Sequence, residues 1–340
     1  MELASPPEYN TKKPKEAPPP KSADCHFHVI GPAAKFPFSP KRTYEPPEVP
    51  LEDIWHMHEL LGIERGVAVQ VSVHGRDNTA MLDALARSKG RYRGVAMVDD
   101  GHTDDELEAM HQAGVRGARF NFVRFLGGPP DLGVFSRVVD RVNELGWHID
   151  IHASAEDLTD HKVLFESLKA PILMEYWSHF EVADGLDSPS FQLMLRMAKD
   201  LGWWFKIGNG DRISVDGLPY ADTIPFGQAA IEALPDRTIW GTDWPHPKYE
   251  HGPMPNDGDL LDLLFDYTPD AVMRQKVLAD NPHALYGFDD SIPVIFPLRR
   301  GAWRWLPHLY SAQRPGTRRN PLPCRPGPNH PDPGDIPWPG

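Results

Sequence analysis

From residue 22 onward, short apolar runs alternate with longer stretches in which apolar positions recur at helical spacing. The runs fall at 23–30, 66–72, 94–98, 117–123, 148–153, 171–177, 203–208 and 238–242, and they predict eight strands. Between them, 51–62, 77–89, 104–113, 132–145, 156–169, 189–201 and 222–234 read as helices, and 257–279 follows the last strand. Apolar strands separated by helices belong to a parallel sheet buried beneath those helices. Eight such units in about 260 residues predict an α/β fold with one domain, the closed (β/α)8 TIM barrel, rather than an open doubly wound sheet. The open sheet would carry a glycine-rich fingerprint after its first strand, and none follows His28. Helix starts agree with the segmentation: Asp77, Thr103 with Glu106 three residues on, and Asp131 stand where capping side chains are needed.

The pattern fades at both ends. Residues 1–21 hold six prolines among charged residues without hydrophobic period, which predicts a disordered or surface-wrapping arm. The barrel is expected over 22–288, closing with Asn281-Pro282 to Phe288. Residues 289–340 form a Pro- and Arg-rich tail, whose last fifty residues contain twelve prolines, seven arginines and two acidic residues. That composition predicts a disordered extension or sequence read from a displaced frame.

Composition narrows the class further. Hydrophobic residues at 40% supply a sizeable core, and no apolar run approaches the roughly 20 residues of a membrane span. The first residues lack the apolar stretch of a secretory signal, so the expected compartment is the cytoplasm. Cys25 and Cys324 are the two cysteines, too few and too differently placed for a disulfide framework. A net charge of −13 opposes nucleic acid and anionic membrane as partners. It does not oppose a small carboxylate held by arginines inside a pocket, because a guanidinium fork acts at short range. The oligomeric state is left open.

His26 and His28 stand two apart on the first strand and so share a face, which in a closed barrel is the interior. Buried histidines satisfied by hydrogen bonds are the plain alternative to a ligand or catalytic pair. Asp243 follows the eighth strand in Trp240-Gly241-Thr242-Asp243-Trp244-Pro245-His246-Pro247, where its bulky neighbours would shield a general base from water. A turn or cap aspartate is the alternative there. In Arg116-Gly117-Ala118-Arg119-Phe120-Asn121-Phe122-Val123-Arg124, the residues Arg119 and Asn121 should point inward, either to bind an anion or to form a structural ion pair with a neighbouring acidic strand residue. Arg212, after the seventh strand, is a second anion-binding candidate or a solvated loop residue. Histidines 56, 58, 74, 102, 111, 148, 161 and 283 read as structural or solvent-facing.

The ordered set Asp24-Cys25-His26-Phe27-His28, Gly117-Ala118-Arg119-Phe120-Asn121-Phe122 and Trp240 to Pro247 resembles the amidohydrolase superfamily, amidohydrolase-related family 2, in its dicarboxylate-lactonase branch. Residues 69–75, Arg212-Ile213-Ser214 and Asn281-Pro282 resemble that branch too. The resemblance implies a hydrolase that opens a carboxylated lactone of the 2-pyrone-4,6-dicarboxylate kind in aromatic-compound catabolism. Asp243 would be the base for water, and His26 and His28 would polarise the carbonyl. Arg119 and Arg212 would hold carboxylates, with Tyr44, His246, Asn121 and Arg124 as further substrate contacts. No cofactor is implied. Other branches recruit a third histidine from the positions of His152 or His179 and bind Zn or Mn, for which His26, His28 and Asp243 would serve here.

Two positions depart from the branch. Where Asp-His-x-Gly is expected after strand six, the chain reads Glu175-Tyr176-Trp177-Ser178-His179, so Tyr176 takes the histidine position and His179 is the candidate to replace it. Phe125 stands where a further arginine is expected, beside Arg124. The alternatives carried forward are a metal-dependent decarboxylase of an aromatic acid and an inactive binding barrel.

Overall fold

The eight apolar runs become eight parallel strands because each can bury both faces only between a barrel interior and a helical layer. They are β1 (Ala23–Phe27), β2 (Arg65–Val69), β3 (Tyr92–Ala96), β4 (Val115–Asn121), β5 (His148–His152), β6 (Ile172–Met174), β7 (Trp204–Ile207) and β8 (Thr238–Trp240), adjacent in sequence order. The structure, a computed structural model, describes residues 3–291. The 292–340 part of the predicted tail lies outside the described residues.

The helices are α1 (Leu51–Leu61), α2 (Thr79–Arg87), α3 (Asp104–Gln112), α4 (Leu132–Glu144), α5 (Ala155–Asp160), α6 (Lys162–Ser167), α7 (Pro189–Asp200), α8 (Gly210–Ile213), α9 (Ile224–Ala233), α10 (Asp257–Tyr267), α11 (Ala271–Gln275) and α12 (Asn281–Tyr286). Thr103 and Glu106 form the capping box read from sequence, and the Asp131 carboxylate accepts from Val134 N. Asp77 lies one residue before the cap position of α2 and accepts from Thr79 N instead. Two predicted helices are interrupted. The segment 156–169 breaks at His161, whose ring packs against Phe122 and Phe165. The segment 257–279 breaks at Thr268, because Pro269 disfavours helical backbone in the residue before it.

The barrel closes at its carboxyl end. Residues just past β8 pair with the end of β1: Asp243 N donates to His26 O at 2.8 Å and His28 N to Trp244 O at 2.8 Å. Gly241 is required at this seam, since a Cβ there would lie 2.6 Å from the His26 Cβ. The register of β1 against β2 slips between Asp24 and Phe27. Asp24 thereby turns to His58 of α1 (3.1 Å) and to Thr242 Oγ1 (2.7 Å), while His26 and His28 remain inside.

Inside, the barrel has two layers. Cys25, Val67, Val95, Leu173 and Ile239 pack with Tyr286 and Phe288 in one apolar cluster. Arg93 donates to Gly287 O at 2.8 Å, which places this closing segment at the amino-terminal ends of the strands. Above it the interior is charged, with Asp150, Glu175 and Lys206 each wholly buried. The arm of residues 3–21 has no core of its own and takes partners from α10. Lys12 reaches Asp259 at 2.6 Å and its N–H donates to Asn256, while a Cβ at Gly258 would lie 2.3 Å from Lys12 O. No helix among the described residues is long and apolar enough to cross a membrane.

Candidate active site

A cavity of about 120 Å³ opens at the carboxyl ends of the strands. Such a position is where strand ends and βα loops bring side chains from many parts of the chain to one place. Of the residues singled out from sequence, His28, Tyr44, Arg119, Arg212 and Asp243 line it.

Asp243 is at the centre. Its backbone has φ 65°, in the left-handed region, as the chain turns from β8 into the Trp244-Pro245-His246 segment. Oδ2 accepts from Arg212 Nη2 at 3.1 Å and from Asn209 Nδ2 at 3.3 Å. Oδ1 lies 3.4 Å from His28 Nε2 and 3.6 Å from His26 Nε2. Burial favours the neutral acid, but the Arg212 charge opposes it, and Asp243 is held well below the usual carboxylate range. Asp243 is therefore ionised.

The two histidines are not equivalent. His28 reaches the cavity, and its Nδ1 stands 2.8 Å from Val69 O, which can only accept, so Nδ1 carries hydrogen. His26 is wholly buried behind it, with Nε2 3.3 Å from His28 Nε2 and Nδ1 3.0 Å from Lys206 Nζ. Burial and the Lys206 charge push His26 well below its ordinary value, leaving the ring neutral.

Arg119, on β4, donates twice to Glu175 Oε2, from Nε at 3.1 Å and Nη2 at 2.7 Å. Arg119 thus makes the structural ion pair that was one of its two expectations, and it also lines the cavity. Glu175 is pulled down, against burial, by Arg119 and Lys206, while burial and Glu175 push Asp150 up.

Three further sequence candidates, His246, Asn121 and Arg124, lie off the cavity lining. His246 is wholly buried and pairs with Asp257 at 3.2 Å, away from the cavity lining; burial would lower it, but Asp257 raises it. Asn121 Oδ1 lies 3.2 Å from His152 Nδ1, and Arg124 is exposed, 3.5 Å from Glu156. His152 itself lines the cavity. His179 ends the turn Tyr176–His179, and its side chain lies outside the described residues. Tyr176 and Phe125, the two departures from the expected pattern, both line the cavity. Tyr176 has a buried hydroxyl that bonds to no described residue, and burial raises its proton affinity, so it stays an O–H donor.

Sequence reasoning missed Ser72, Asn209 and Lys248 in the lining, and Lys206 and Asp150 behind it. A signal existed for the last two. Each is a charge inside a strand otherwise apolar, Trp-Phe-Lys-Ile and His-Ile-Asp-Ile-His, where charge is costly unless paired.

His26, His28 and Asp243 offer donor atoms within 4.8 Å of one another, a spacing that suits one divalent ion. Their protonation does not suit it. An ammonium has no lone pair, so Lys206 can only donate to His26 Nδ1, and the neutral ring then carries its hydrogen on Nε2, where a metal needs the lone pair. The group as it stands does not fit a three-ligand cation site.

The amidohydrolase family model matches residues 23–288. A 2-pyrone-4,6-dicarboxylate hydrolase of Comamonas testosteroni is 38% identical over 286 residues, 82% of this chain and 93% of that protein. A 4-sulfomuconolactone hydrolase of Rhizobium radiobacter is 41% identical over 271 residues, 79% of this chain and 91% of its own length. An apo crystal structure from Agrobacterium tumefaciens superposes with a TM-score of 0.72 at 27% identity, covering 81% of this chain and 99% of the other.

Proposed function

The chain belongs to the amidohydrolase family, and from that premise we propose that it hydrolyses a small anionic lactone, of the 2-pyrone-4,6-dicarboxylate or sulfomuconolactone kind, without a divalent metal. The observation that carries this reading is the ionised Asp243 carboxylate in the cavity wall, with Arg212 at 3.1 Å to receive the substrate's anionic group.

The steps follow from that placement. Asp243 takes a proton from a water molecule as the water oxygen bonds to the lactone carbonyl carbon. Negative charge collects on the former carbonyl oxygen. When the carbon–oxygen bond of the ring breaks, the expelled ring oxygen takes the proton from Asp243, which returns to carboxylate. The charge on the carbonyl oxygen needs a donor, and the unpartnered Tyr176 hydroxyl supplies one at the position where a histidine is expected. A substrate carboxylate that draws Arg212 toward itself also weakens the hold on Asp243 and raises its proton affinity at the moment it must act as base. The inferred product is an open-chain acid, and the inferred setting, aromatic-compound catabolism, is drawn from the names of the relatives.

The test is steady-state hydrolysis of 2-pyrone-4,6-dicarboxylate and 4-sulfomuconolactone by the full chain, beside the Tyr176→Phe variant. Turnover of at least one lactone is expected. The variant should lose about 10²- to 10³-fold in kcat, the cost of one oxyanion donor, with KM little changed. Failure to turn over either lactone by folded protein would count against the reading, and a Tyr176→Phe enzyme of normal kcat would remove the tyrosine from it.

A further inference from the structure

Lys206 does not line the cavity, and no part of the steps above uses it. Its Nζ nevertheless sits in the barrel interior with three acceptors around it: Asp150 Oδ2 at 2.9 Å, His26 Nδ1 at 3.0 Å and Glu175 Oε1 at 3.8 Å. Two of its N–H donors are hydrogen-bonded, to Asp150 and His26, and Glu175 adds charge at ion-pair distance. The wholly buried lysine is tolerated because two carboxylates answer its charge.

We propose that Lys206 is a positioning residue that locks His26 in the tautomer with hydrogen on Nε2, so that His26, His28 and Asp243 serve proton chemistry and refuse a divalent cation. The hydrogen bonds form one directed chain. Lys206 donates to His26 Nδ1; His26 Nε2–H points at His28 Nε2, 3.3 Å away; His28 Nδ1–H donates to Val69 O at 2.8 Å. Glu175 Oε1 also lies 3.5 Å from His26 Nδ1 but makes no hydrogen bond, so the 3.0 Å link to Lys206 is the one that sets the ring. Turning His26 over to the metal-binding tautomer would set Nδ1–H against an ammonium that can only donate. A barrel whose donor atoms are spaced for a metal is thereby held in a state that does not need one, whichever lactone the cavity takes.

Two measurements on the full chain decide this. Long-range ¹H–¹⁵N correlation spectra of histidine-labelled protein, with His26 assigned by loss of its signals in His26→Asn, should place hydrogen on Nε2 of His26 and on Nδ1 of His28. Hydrogen on His26 Nδ1 would overturn the proposal. In the second, Zn²⁺ is titrated into the wild type and into Lys206→Met/Asp150→Asn, which removes the buried pair together and leaves Glu175 with Arg119. The double variant should bind Zn²⁺ about 10- to 100-fold more tightly, the scale on which groups behind a ligand tune metal sites. Equal affinity in a double variant with native circular dichroism would also overturn it. If the double variant does not fold, the wild-type spectra alone still decide.

Discussion

Arg212 and Asp243 form a pair in the cavity that the proposed reaction draws on twice, Arg212 for the substrate's anionic group and Asp243 for the attacking water. Replacing Arg212 with Met is expected to raise KM roughly ten- to hundred-fold, since a charge-assisted hydrogen bond contributes about 1.5–3 kcal/mol. The same change should move the acid limb of kcat/KM upward. In the wild type Asp243 is held low, so its basic form persists below the ordinary carboxylate range and is lost only as pH falls through that depressed value. Without Arg212 the limb should shift toward ordinary carboxylate values. An unchanged limb in a pH series would mean that Arg212 does not set the base. At this scale the sequence carried unevenly into space. Asp243, His28 and Arg212 meet in the cavity because each follows a strand end, and strand ends were legible from periodicity; Tyr44, in the long loop between β1 and α1, was suggested by the family resemblance alone. His246 was not placeable, because a positive φ of 57° turns it away from the cavity and toward Asp257. Arg124 sits in a short turn after β4, where strand alternation no longer says which way a side chain points.

Among the elements, β1 and β4 define what strand patterns can and cannot tell. The two-residue spacing of His26 and His28 predicts a common face, and they share it. Alternation alone would put Asp24 there as well; the register slip after Asp24 sends it to His58 instead, and no residue pattern in Ala-Asp-Cys-His-Phe announces the slip. On β4, Arg119 obeys the alternation and points inward, but its partner Glu175, just past the end of β6 and two strands away, could not be chosen from sequence among the acidic residues available. The consequence is testable. Arg119→Met leaves Glu175 as a buried carboxylate with Lys206 alone, and breaking a buried pair costs about 3–5 kcal/mol. In a domain of this size that corresponds to a fall in melting midpoint of roughly 6–20 °C. A variant that melts normally while KM rises would show that the arginine serves substrate rather than the fold.

The molecule as a whole divides its barrel between two tasks, an apolar layer closed by Tyr286 and Phe288 and a charged layer that faces the cavity. This division is why the fold was readable from hydrophobic pattern while the charged layer was not: apolar residues report their burial in sequence, and buried charges report it only through partners brought together from other strands. It also sets where the chain can be shortened. A chain ending at Ser291 keeps Phe288 and the Arg65–Asp290 ion pair, and should melt within about 4 °C of the full chain, the equivalent of roughly 1–2 kcal/mol. Ending at Tyr286 removes Phe288 from the closing cluster and should cost about 3–5 kcal/mol, as for loss of a buried aromatic side chain. Calorimetry on the three chains separates these outcomes. The central claim, that the cavity hydrolyses a lactone by water activated at Asp243, is tested most directly by kcat for 2-pyrone-4,6-dicarboxylate or 4-sulfomuconolactone, whichever the wild type turns over, in Asp243→Asn. A loss of about 10²- to 10⁴-fold with native folding is the expected result, and a rate within a few-fold of wild type would contradict the account.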